Sequence, residues 1–122
     1  MYKKILDKAK KIKLIGMDID GVLTGGEIVV LNSGEEVRFW NVKDLFGFTL
    51  ARKSGSGLRI VWITARDSRE VENQAKEIGV DKIYQKCYDK LAAYKEILKD
   101  FSLKPEEIAY VGDDLIDLPV LK

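Results

Sequence analysis

The chain has 122 residues, a length typical of one domain with a single hydrophobic core. Its 21 Lys and Arg residues against 20 Asp and Glu residues give a net charge of +1, so no overall field is expected to recruit nucleic acid or an anionic membrane. It has no histidine and one cysteine, Cys87, which excludes histidine-based nucleophiles, histidine-ligated zinc and an internal disulfide. The chemistry that remains uses carboxylates, lysine, hydroxyls and a hard cation such as Mg²⁺.

Residues 1–13 are basic and amphipathic, without the continuous apolar core that a signal peptide needs. No apolar stretch of the sequence is long enough to cross a membrane. Together with the lone cysteine, these features predict a protein of the reducing cytoplasm that binds neither membrane nor nucleic acid.

The most informative segment follows an apolar run that ends at Met17. Asp18 and Asp20 flank Ile19 and precede Gly21. If the run is a strand, both carboxylates point to the same face, because side chains alternate with period two. Open α/β sheets bind ligands at the carboxyl ends of strands, so phosphate chemistry on a divalent metal is the first hypothesis. A surface acidic pair or a turn-forming Asp-Gly is the alternative reading of this segment alone.

A β-hairpin is predicted directly after the acidic pair, as an insertion over about residues 26–41. The apolar runs 28–31 and 37–40 flank the turn sequence 32–35. The hairpin should therefore project over or beside the site, although an ordinary surface hairpin fits the pattern as well. Phe39 and Trp40, expected to be exposed, favour a packed or intersubunit role.

Strand and helix patterns then alternate. The apolar run 60–63 follows the flexible turn 54–57 and predicts a buried strand. A helix is expected next, with Ser68 as its N-cap and Gly79 as its C-terminal stop. Its buried face is predicted from the helical spacing of Val71, Ala75 and Ile78.

A short strand is predicted near residues 83–84, and Asp89 can cap the helix that follows it. After a break at 105–107, the run 108–111 predicts another buried strand. This alternation indicates an α/β fold with a doubly wound, Rossmann-like parallel sheet. The apolar stripe expected on the second helix consists of Leu91, Tyr94, Leu98 and Phe101.

Three further polar clusters fall at the ends of predicted elements. Thr64 follows a strand and could donate a hydrogen bond to a phosphoryl oxygen, although a threonine at a strand end is common. Lys90 begins a helix, where the dipole disfavours a cation, so it could face an anion instead of solvent. Asp113, Asp114 and Asp117 would repel one another unless a cation neutralises them, which favours bound Mg²⁺ over a solvated loop.

The sequence contains the motifs Asp-x-Asp, Thr, Lys and Gly-Asp-Asp-x-x-Asp in this order. With this set of motifs, it resembles the haloacid dehalogenase superfamily. More narrowly, it resembles the 3-deoxy-D-manno-octulosonate 8-phosphate (KDO 8-phosphate) phosphatases, a branch without a large cap domain. The resemblance runs from Leu14 to the C-terminus and includes the segments 18–24, 39–44 and 112–120. It implies one phosphatase domain over residues 1–122.

The resemblance implies a role for each motif. Asp18 would be the nucleophile that forms an aspartyl phosphate, and Asp20 would be the general acid and base. Thr64 and Lys90 would hold the phosphoryl oxygens and the nucleophile. The groups implied for Mg²⁺ are the Asp18 carboxylate, the Asp20 backbone carbonyl and Asp113, with Asp114 and Asp117 in support.

The resemblance also implies a substrate and an assembly. The reaction would be hydrolysis of KDO 8-phosphate to KDO and phosphate, a step of lipopolysaccharide biosynthesis. The enzyme would be a homotetramer in which the hairpin of one subunit helps to close the site of another. The residues implied to bind substrate are Asp20, Asn41, Val42, Lys43, Asp44, Leu45, Arg66 and Lys90.

Several positions depart from the family pattern. Leu45 and Ala65 stand where the family usually has glycine, and Thr49 and Gln74 replace arginines expected to contact the sugar acid. Another phosphorylated sugar or nonulosonic acid is therefore the alternative substrate. The sequence ends at Lys122, whereas relatives continue with a strand, a helix and a tail, so we expect either a truncated chain or a short member.

Two functions of other classes fit some of these features. A receiver-type phosphoacceptor module has a similar length and a similar acidic, Thr and Lys set around Mg²⁺. Its phosphoacceptor follows the third strand and precedes Thr and Lys, whereas here Thr64 and Lys90 precede the last acidic cluster. A non-catalytic remnant of the fold is the second alternative, which the retained core carboxylates disfavour.

Overall fold

The structure is a computed structural model that describes residues 1–121. The strands are β1 (Leu14–Met17), β2 (Val29–Val30), β3 (Glu36–Val37), β4 (Arg59–Ile63), β5 (Lys82–Tyr84) and β6 (Ile108–Val111). The α-helices are α1 (Tyr2–Lys10), α2 (Val42–Lys53), α3 (Arg69–Ile78), α4 (Lys90–Asp100) and α5 (Leu118–Leu121). Short 3-10 turns at Pro105–Glu107 and Leu115–Asp117 lie before and after β6.

Four strands form one parallel sheet in the order β5-β4-β1-β6. In the centre of the sheet, Leu14 of β1 lies opposite Arg59 of β4 on one side and Ile108 of β6 on the other. Helices connect the parallel strands, which confirms the predicted doubly wound α/β fold. Since all four strands run in the same direction, their carboxyl ends meet at one edge of the sheet.

Both faces of the sheet are covered by helices, and successive residues of β4 alternate between the two faces. Ile60 and Trp62 face a core that includes residues of α2 and α3, whereas Val61 and Ile63 face a core with α4. This burial on both sides explains why β4 is a continuous apolar run. The buried residues of α3 are those that the helical spacing predicted, namely Val71, Ala75 and Ile78.

Helix α2 has no counterpart among the predicted elements. It begins after Asn41, whose side chain caps it by accepting a hydrogen bond from the Lys43 N–H at 2.9 Å. Leu45 and Phe48 pack against the core of the sheet. The helix was missed because it has no single apolar stripe: exposed apolar residues interrupt its polar side at Val42, Phe46 and Leu50.

The inserted hairpin is present, and its paired strands are shorter than predicted. β2 and β3 pair antiparallel over two residues each, and Trp40 makes an isolated bridge with Thr24. Trp40 is half-buried and stacks on Trp62, with 5.4 Å between ring centroids, so the expectation that it is exposed was wrong. Phe39 is 67% exposed, as expected. Trp40 thus packs the hairpin against the core of the four-stranded sheet of the same chain.

The apolar stripe predicted for α4 was wrong by about one position. Its buried residues are Lys90, Ala93 and Ile97, whereas the predicted residues are only partly buried. A lysine is ordinarily assigned to the solvent side of a helix. With Lys90 buried, α4 is rotated about its own axis relative to the orientation that its apolar residues alone would favour.

Helix α1 lies at the surface and has no buried residue. Its Lys-rich side and its apolar side are both exposed, in agreement with the amphipathic pattern of residues 1–13. Within residues 1–121, no helix combines the length and the apolar character that crossing a lipid bilayer requires.

The corrected orientation of α4 can be tested by two truncations. Ile97→Ala removes a fully buried side chain and should lower the free energy of unfolding by about 2–5 kcal/mol. Leu98→Ala, at a partly buried position of the same helix, should cost only about 1 kcal/mol. Urea unfolding measures both values. A larger cost for Leu98→Ala than for Ile97→Ala would restore the orientation predicted from the sequence.

Candidate active site

The polar residues singled out in the sequence come together at the carboxyl edge of the sheet. The loops after β1, β4, β5 and β6 carry, in that order, Asp18, Thr64, Lys90 and the acidic segment 112–117. The backbone N–H of Asp18 donates to the carbonyl of Val111 at 3.0 Å, which ties the first loop to the last strand. The parallel sheet is therefore what gathers residues distant in sequence.

Lys90 is the buried cation of this edge, with 1% of its side chain exposed. Its Nζ lies 3.1 Å from Asp18 Oδ1 and 2.7 Å from Asp117 Oδ1. A buried ammonium group is costly unless carboxylates neutralise it. The two contacts explain how a lysine is tolerated in the first turn of a helix, against the helix dipole.

Asp117 is fully buried, and its two oxygens are occupied by donors. Oδ1 accepts from Lys90 and from the hydroxyl of Tyr110, and Oδ2 accepts from the backbone N–H of Asp113 at 3.1 Å and of Asp114 at 3.3 Å. Burial would raise the pKa of Asp117, but the hydrogen bonds from Lys90 and Tyr110 outweigh it and hold the pKa below its ordinary value. Asp117 is thus an ionised group that orders the loop.

Glycines make room for this arrangement. A Cβ at Gly112 would lie 2.4 Å from Cγ of Asp117, too close for any larger residue. Gly16 lets the Tyr110 ring lie close to β1, since a Cβ at Gly16 would be only 3.3 Å from that ring. In this position the Tyr110 hydroxyl reaches Asp117. The loop and its neighbouring strand are therefore packed around a single carboxylate.

Asp18 differs from Asp117 in the direction of its pKa shift. Burial raises the pKa of the Asp18 carboxyl to about 6, and the Lys90 ammonium opposes that rise in part. Oδ1 is the oxygen in contact with Lys90. A partly buried carboxylate with one oxygen against a cation is suited to attack an electrophile or to bind a metal, because its charge is poorly solvated.

A divalent cation would find suitable oxygens here. One carboxylate oxygen from each of Asp18, Asp113 and Asp117 lies within 4.8 Å of the others, and hard oxygen donors suit Mg²⁺. Because Asp117 is already occupied by four donors, Asp18 and the exposed Asp113 fit the metal better. A Cβ at Gly21 would lie 1.7 Å from Asp113 Oδ2, so this glycine, at φ +88°, leaves room for that carboxylate.

The crowding of carboxylates in segment 112–117 is relieved differently from our expectation. The Lys90 ammonium balances the charge of Asp117, and the hydroxyl of Tyr110 adds a hydrogen bond to it. Val111 is 45% exposed and Leu115 77% exposed, so the flanking apolar residues do not shield the loop from solvent. The argument for a metal therefore rests on Asp18 together with Asp113, and the acidic run alone does not require one.

Thr64 is buried beyond the end of β4, with 2% of its surface exposed. Its Oγ1 accepts a hydrogen bond from the backbone N–H of Arg66 at 3.2 Å. Because that oxygen acts as an acceptor, its own proton remains available to donate to an anion.

The five residues expected to bind substrate after the hairpin occupy different environments. Asn41 caps α2, Val42 is exposed, and Leu45 packs against the core. Lys43 and Asp44 line a cleft of about 410 Å³ beside the sheet. Met17 and Val111, the last residues before the two acidic segments, line the same cleft. The structure thus brings Lys43 and Asp44 towards the carboxyl edge and turns Leu45 inward.

Arg38 is a residue of this region that sequence reasoning missed. Its buried guanidinium donates through Nε to Asp20 Oδ1 at 2.7 Å. Nearby, Arg66 Nε donates to Glu36 at 3.0 Å, so this predicted substrate ligand is paired with the hairpin. Along the hairpin, the more buried positions are 36, 38 and 40, whereas 37 and 39 are exposed. The available signal was a period-two pattern that turns Glu36 and Arg38 inward on the same side as Trp40.

Three comparisons bear on the class of protein. Over 118 residues, the chain is 39% identical to the 3-deoxy-D-manno-octulosonate 8-phosphate phosphatase KdsC of Escherichia coli K12, covering 97% of this chain. It is similar to the crystal structure of the Moraxella catarrhalis phosphatase of that name in complex with magnesium, phosphate and KDO, with a TM-score of 0.89, 38% identity and coverage of 97% of this chain and 67% of that chain. The cobalt-bound Haemophilus influenzae enzyme gives a TM-score of 0.85 at 28% identity, covering 92% of this chain and 64% of that chain.

The fold is that of the haloacid dehalogenase superfamily, to which a similar structure from Legionella pneumophila is assigned, with a TM-score of 0.90, 35% identity and coverage of 98% of this chain and 64% of that chain. No protein-family profile matches the chain. The chain belongs to the family of the 3-deoxy-D-manno-octulosonate 8-phosphate phosphatases. It spans 62% of the length of the curated Escherichia coli relative.

The buried cation can be tested by removing it. Lys90→Met leaves Asp18 and Asp117 without their ammonium partner and should cost about 3–5 kcal/mol of unfolding free energy. Adding Asp117→Asn should recover part of that loss, because one unpaired carboxylate is then neutral. Urea unfolding measures each variant. Lys95→Met, at an exposed lysine of the same helix, is the matched control, and an equal cost for both lysines would contradict the assignment.

The perturbed Asp18 predicts a pH dependence of stability. Its folded-state pKa of about 6 lies above the ordinary 3.8, so its contribution to stability is complete below pH 3.8 and is lost as the pH rises through about 6. Asp18→Asn removes that loss. In EDTA-treated protein, the variant should gain on the order of 1–3 kcal/mol relative to the wild type between about pH 4 and pH 7. Urea unfolding across this range measures the difference, and a constant difference would refute the shift.

Proposed function

We propose that this chain is a Mg²⁺-dependent phosphatase that hydrolyses the phosphate monoester of a sugar acid, with KDO 8-phosphate as the foremost substrate. The observation that carries the proposal is the placement of Asp18, whose carboxylate lies 3.1 Å from the buried Lys90 ammonium and beside Asp113. A carboxylate nucleophile for phosphorus needs cations on the same side to offset the repulsion of two anions.

In the first step, one Asp18 oxygen attacks phosphorus and forms an aspartyl phosphate. The bond from phosphorus to the ester oxygen breaks, and its electron pair stays on that oxygen. Asp20 gives its proton to the leaving oxygen, so that an alcohol departs in place of an alkoxide.

In the second step, the ionised Asp20 takes a proton from water, and the water oxygen attacks phosphorus. The bond to Asp18 breaks, which releases phosphate and restores the Asp18 carboxylate. Lys90 is placed to hold Asp18 in position through both steps, and the Thr64 hydroxyl is placed to donate to a phosphoryl oxygen.

Mg²⁺ would be held by Asp18, Asp113 and the backbone carbonyl of Asp20, with Asp114 and Asp117 ordering the loop. When bound, it supplies positive charge for the phosphoryl oxygens in the transition state. The oxygens of Asp18 and Asp113 support this assignment by their proximity. The Moraxella catarrhalis relative, solved with magnesium ion, phosphate ion and KDO, supports the choice of metal and of substrate class.

The identity of the sugar acid is the finer part of the proposal. Arg66, Lys90 and the α2 residues Asn41, Lys43 and Asp44 are the proposed substrate contacts. Because two expected arginines are replaced by Thr49 and Gln74, a different phosphorylated sugar or nonulosonic acid is the alternative. Leu45 is the weakest member of the proposed set, since it packs against the core.

The proposal includes self-association as a homotetramer and a cytoplasmic location, with a place in lipopolysaccharide biosynthesis. Exposed apolar side chains on the hairpin support the assembly, because single chains rarely leave such a group uncovered. The lone Cys87 supports a reducing compartment. The exposed apolar hairpin residues are Val29, Val30, Leu31, Val37 and Phe39.

The proposed nucleophile predicts a sharp loss of activity. Asp18→Asn should reduce phosphate release from KDO 8-phosphate by at least about 10³-fold, because an amide does not attack phosphorus. EDTA should abolish the wild-type rate, and added Mg²⁺ should restore it. Asp100→Asn, at an exposed carboxylate remote from this edge, is the isosteric control and should keep the wild-type rate. Unchanged turnover by Asp18→Asn would reject the mechanism.

A further inference from the structure

Arg38 is the one fully buried residue of the hairpin insertion, residues 26–41, and none of its side chain is exposed. Its guanidinium meets carboxylates from three segments. Nε donates to Asp20 Oδ1 at 2.7 Å, Nη2 to Glu36 at 2.9 Å, and Nη1 to Glu70 at 3.2 Å. Nη1 also donates to the hydroxyl of Ser68 at 3.3 Å.

These contacts fix the guanidinium in one orientation. Its donors lie in a plane with fixed directions, and acceptors on β3, at the start of α3 and after β1 occupy all three nitrogens. Glu70 is itself held, because Trp40 Nε1 donates to its other oxygen at 2.7 Å. Burial would lower the pKa of Arg38, but its hydrogen bonds to Asp20, Glu36 and Glu70 raise the pKa above its ordinary value, so the group remains a cation.

The contact with Asp20 uses one carboxylate oxygen. Because Oδ1 accepts from Arg38 Nε, protonation of Asp20 is favoured on Oδ2. Arg38 contacts Oδ1 and not Oδ2, and this contact restricts the orientation of the carboxyl group. The side chain of Asp20 keeps 21% of its surface exposed, so it is accessible from solvent while one oxygen is fixed.

We propose that Arg38 is the positioning residue for Asp20: it directs Oδ2, and the proton on it, towards the ester oxygen of the bound substrate. This inference rests on the proposed phosphatase function. It gives the hairpin a part in the chemistry of its own chain, since Glu36 contacts Arg38 directly and Trp40 holds Glu70, which also accepts from Arg38. Loss of Arg38 should leave the nucleophile in place and impair both proton transfers.

Two esters separate these effects. An alkyl phosphate such as KDO 8-phosphate needs a proton on its leaving oxygen, whereas p-nitrophenyl phosphate has a leaving group that departs without one. For Arg38→Met, turnover of KDO 8-phosphate should fall by about 100-fold, the lower end of the usual contribution of general acid catalysis, because Asp20 is misplaced and not removed. The formation of aspartyl phosphate from p-nitrophenyl phosphate should be much less affected.

Rapid mixing provides the decisive signal. With p-nitrophenyl phosphate, Arg38→Met should release a burst of about one nitrophenol per site and then turn over slowly, because Asp20 is poorly placed to activate water for the second step. Arg38→Lys, which keeps one donor for Asp20, should fall between the wild type and Arg38→Met. If Arg38→Met does not fold, as thermal unfolding would reveal, the same measurements on Arg38→Lys decide the question.

Arg59→Met is the control, because Arg59 is an exposed arginine that pairs with Asp81 at the start of β4. It should match the wild type on both esters. Equal losses on the two esters without a burst, or no loss at all, would overturn the role of Arg38 while the wild type still releases phosphate. A wild-type chain that hydrolyses neither ester with Mg²⁺ would instead overturn the proposed function, and this inference with it.

Discussion

A lysine ammonium with almost no exposed surface must be neutralised by carboxylates, and Lys90 is neutralised by two that come from different loops. Asp18 follows the central strand and Asp117 follows an edge strand, so the ion pairs fix the separation of both loops from α4. Asp117 also accepts hydrogen bonds from two backbone N–H groups of the acidic segment, which orders that segment. Gly112 is required because a side chain there would displace the Asp117 carboxylate. The reactive geometry of the edge is thus built around one buried cation.

A second buried cation, Arg38, organises the opposite side of the same carboxylate pair. Lys90 contacts Asp18, and Arg38 contacts Asp20. The two carboxylates are two residues apart, yet each faces a different cation from a different element. This separation gives a physical basis for proposing different roles for them, because Asp18 is held against Lys90 and Asp20 against Arg38 of the hairpin. The hairpin, which turns polar residues inward and apolar residues outward, is consistent with both an internal and an intersubunit role.

Period and order in the sequence were sufficient to predict the parallel sheet and the residues at its carboxyl edge, since strand ends and loop residues follow from local patterns. The features that were missed depend on tertiary partners. Arg38 and Lys90 are buried only because carboxylates distant in sequence contact them. The burial of Lys90 in turn sets the orientation of α4. Trp40 was expected at the surface because its partner, Trp62, is 22 residues away in sequence. Helix α2 lacks a single apolar stripe, so no periodic pattern in the sequence predicted it.

The proposed mechanism depends on covalent phosphorylation of Asp18 during turnover. The direct measurement is to quench the protein with acid while it hydrolyses a phosphate ester with Mg²⁺, reduce the acyl phosphate with borohydride, and sequence the peptides by mass spectrometry. Reduction of an aspartyl phosphate gives homoserine, and we expect homoserine at position 18 only in samples that contained substrate. Homoserine at another aspartate, or none despite phosphate release from the wild-type chain, would contradict it.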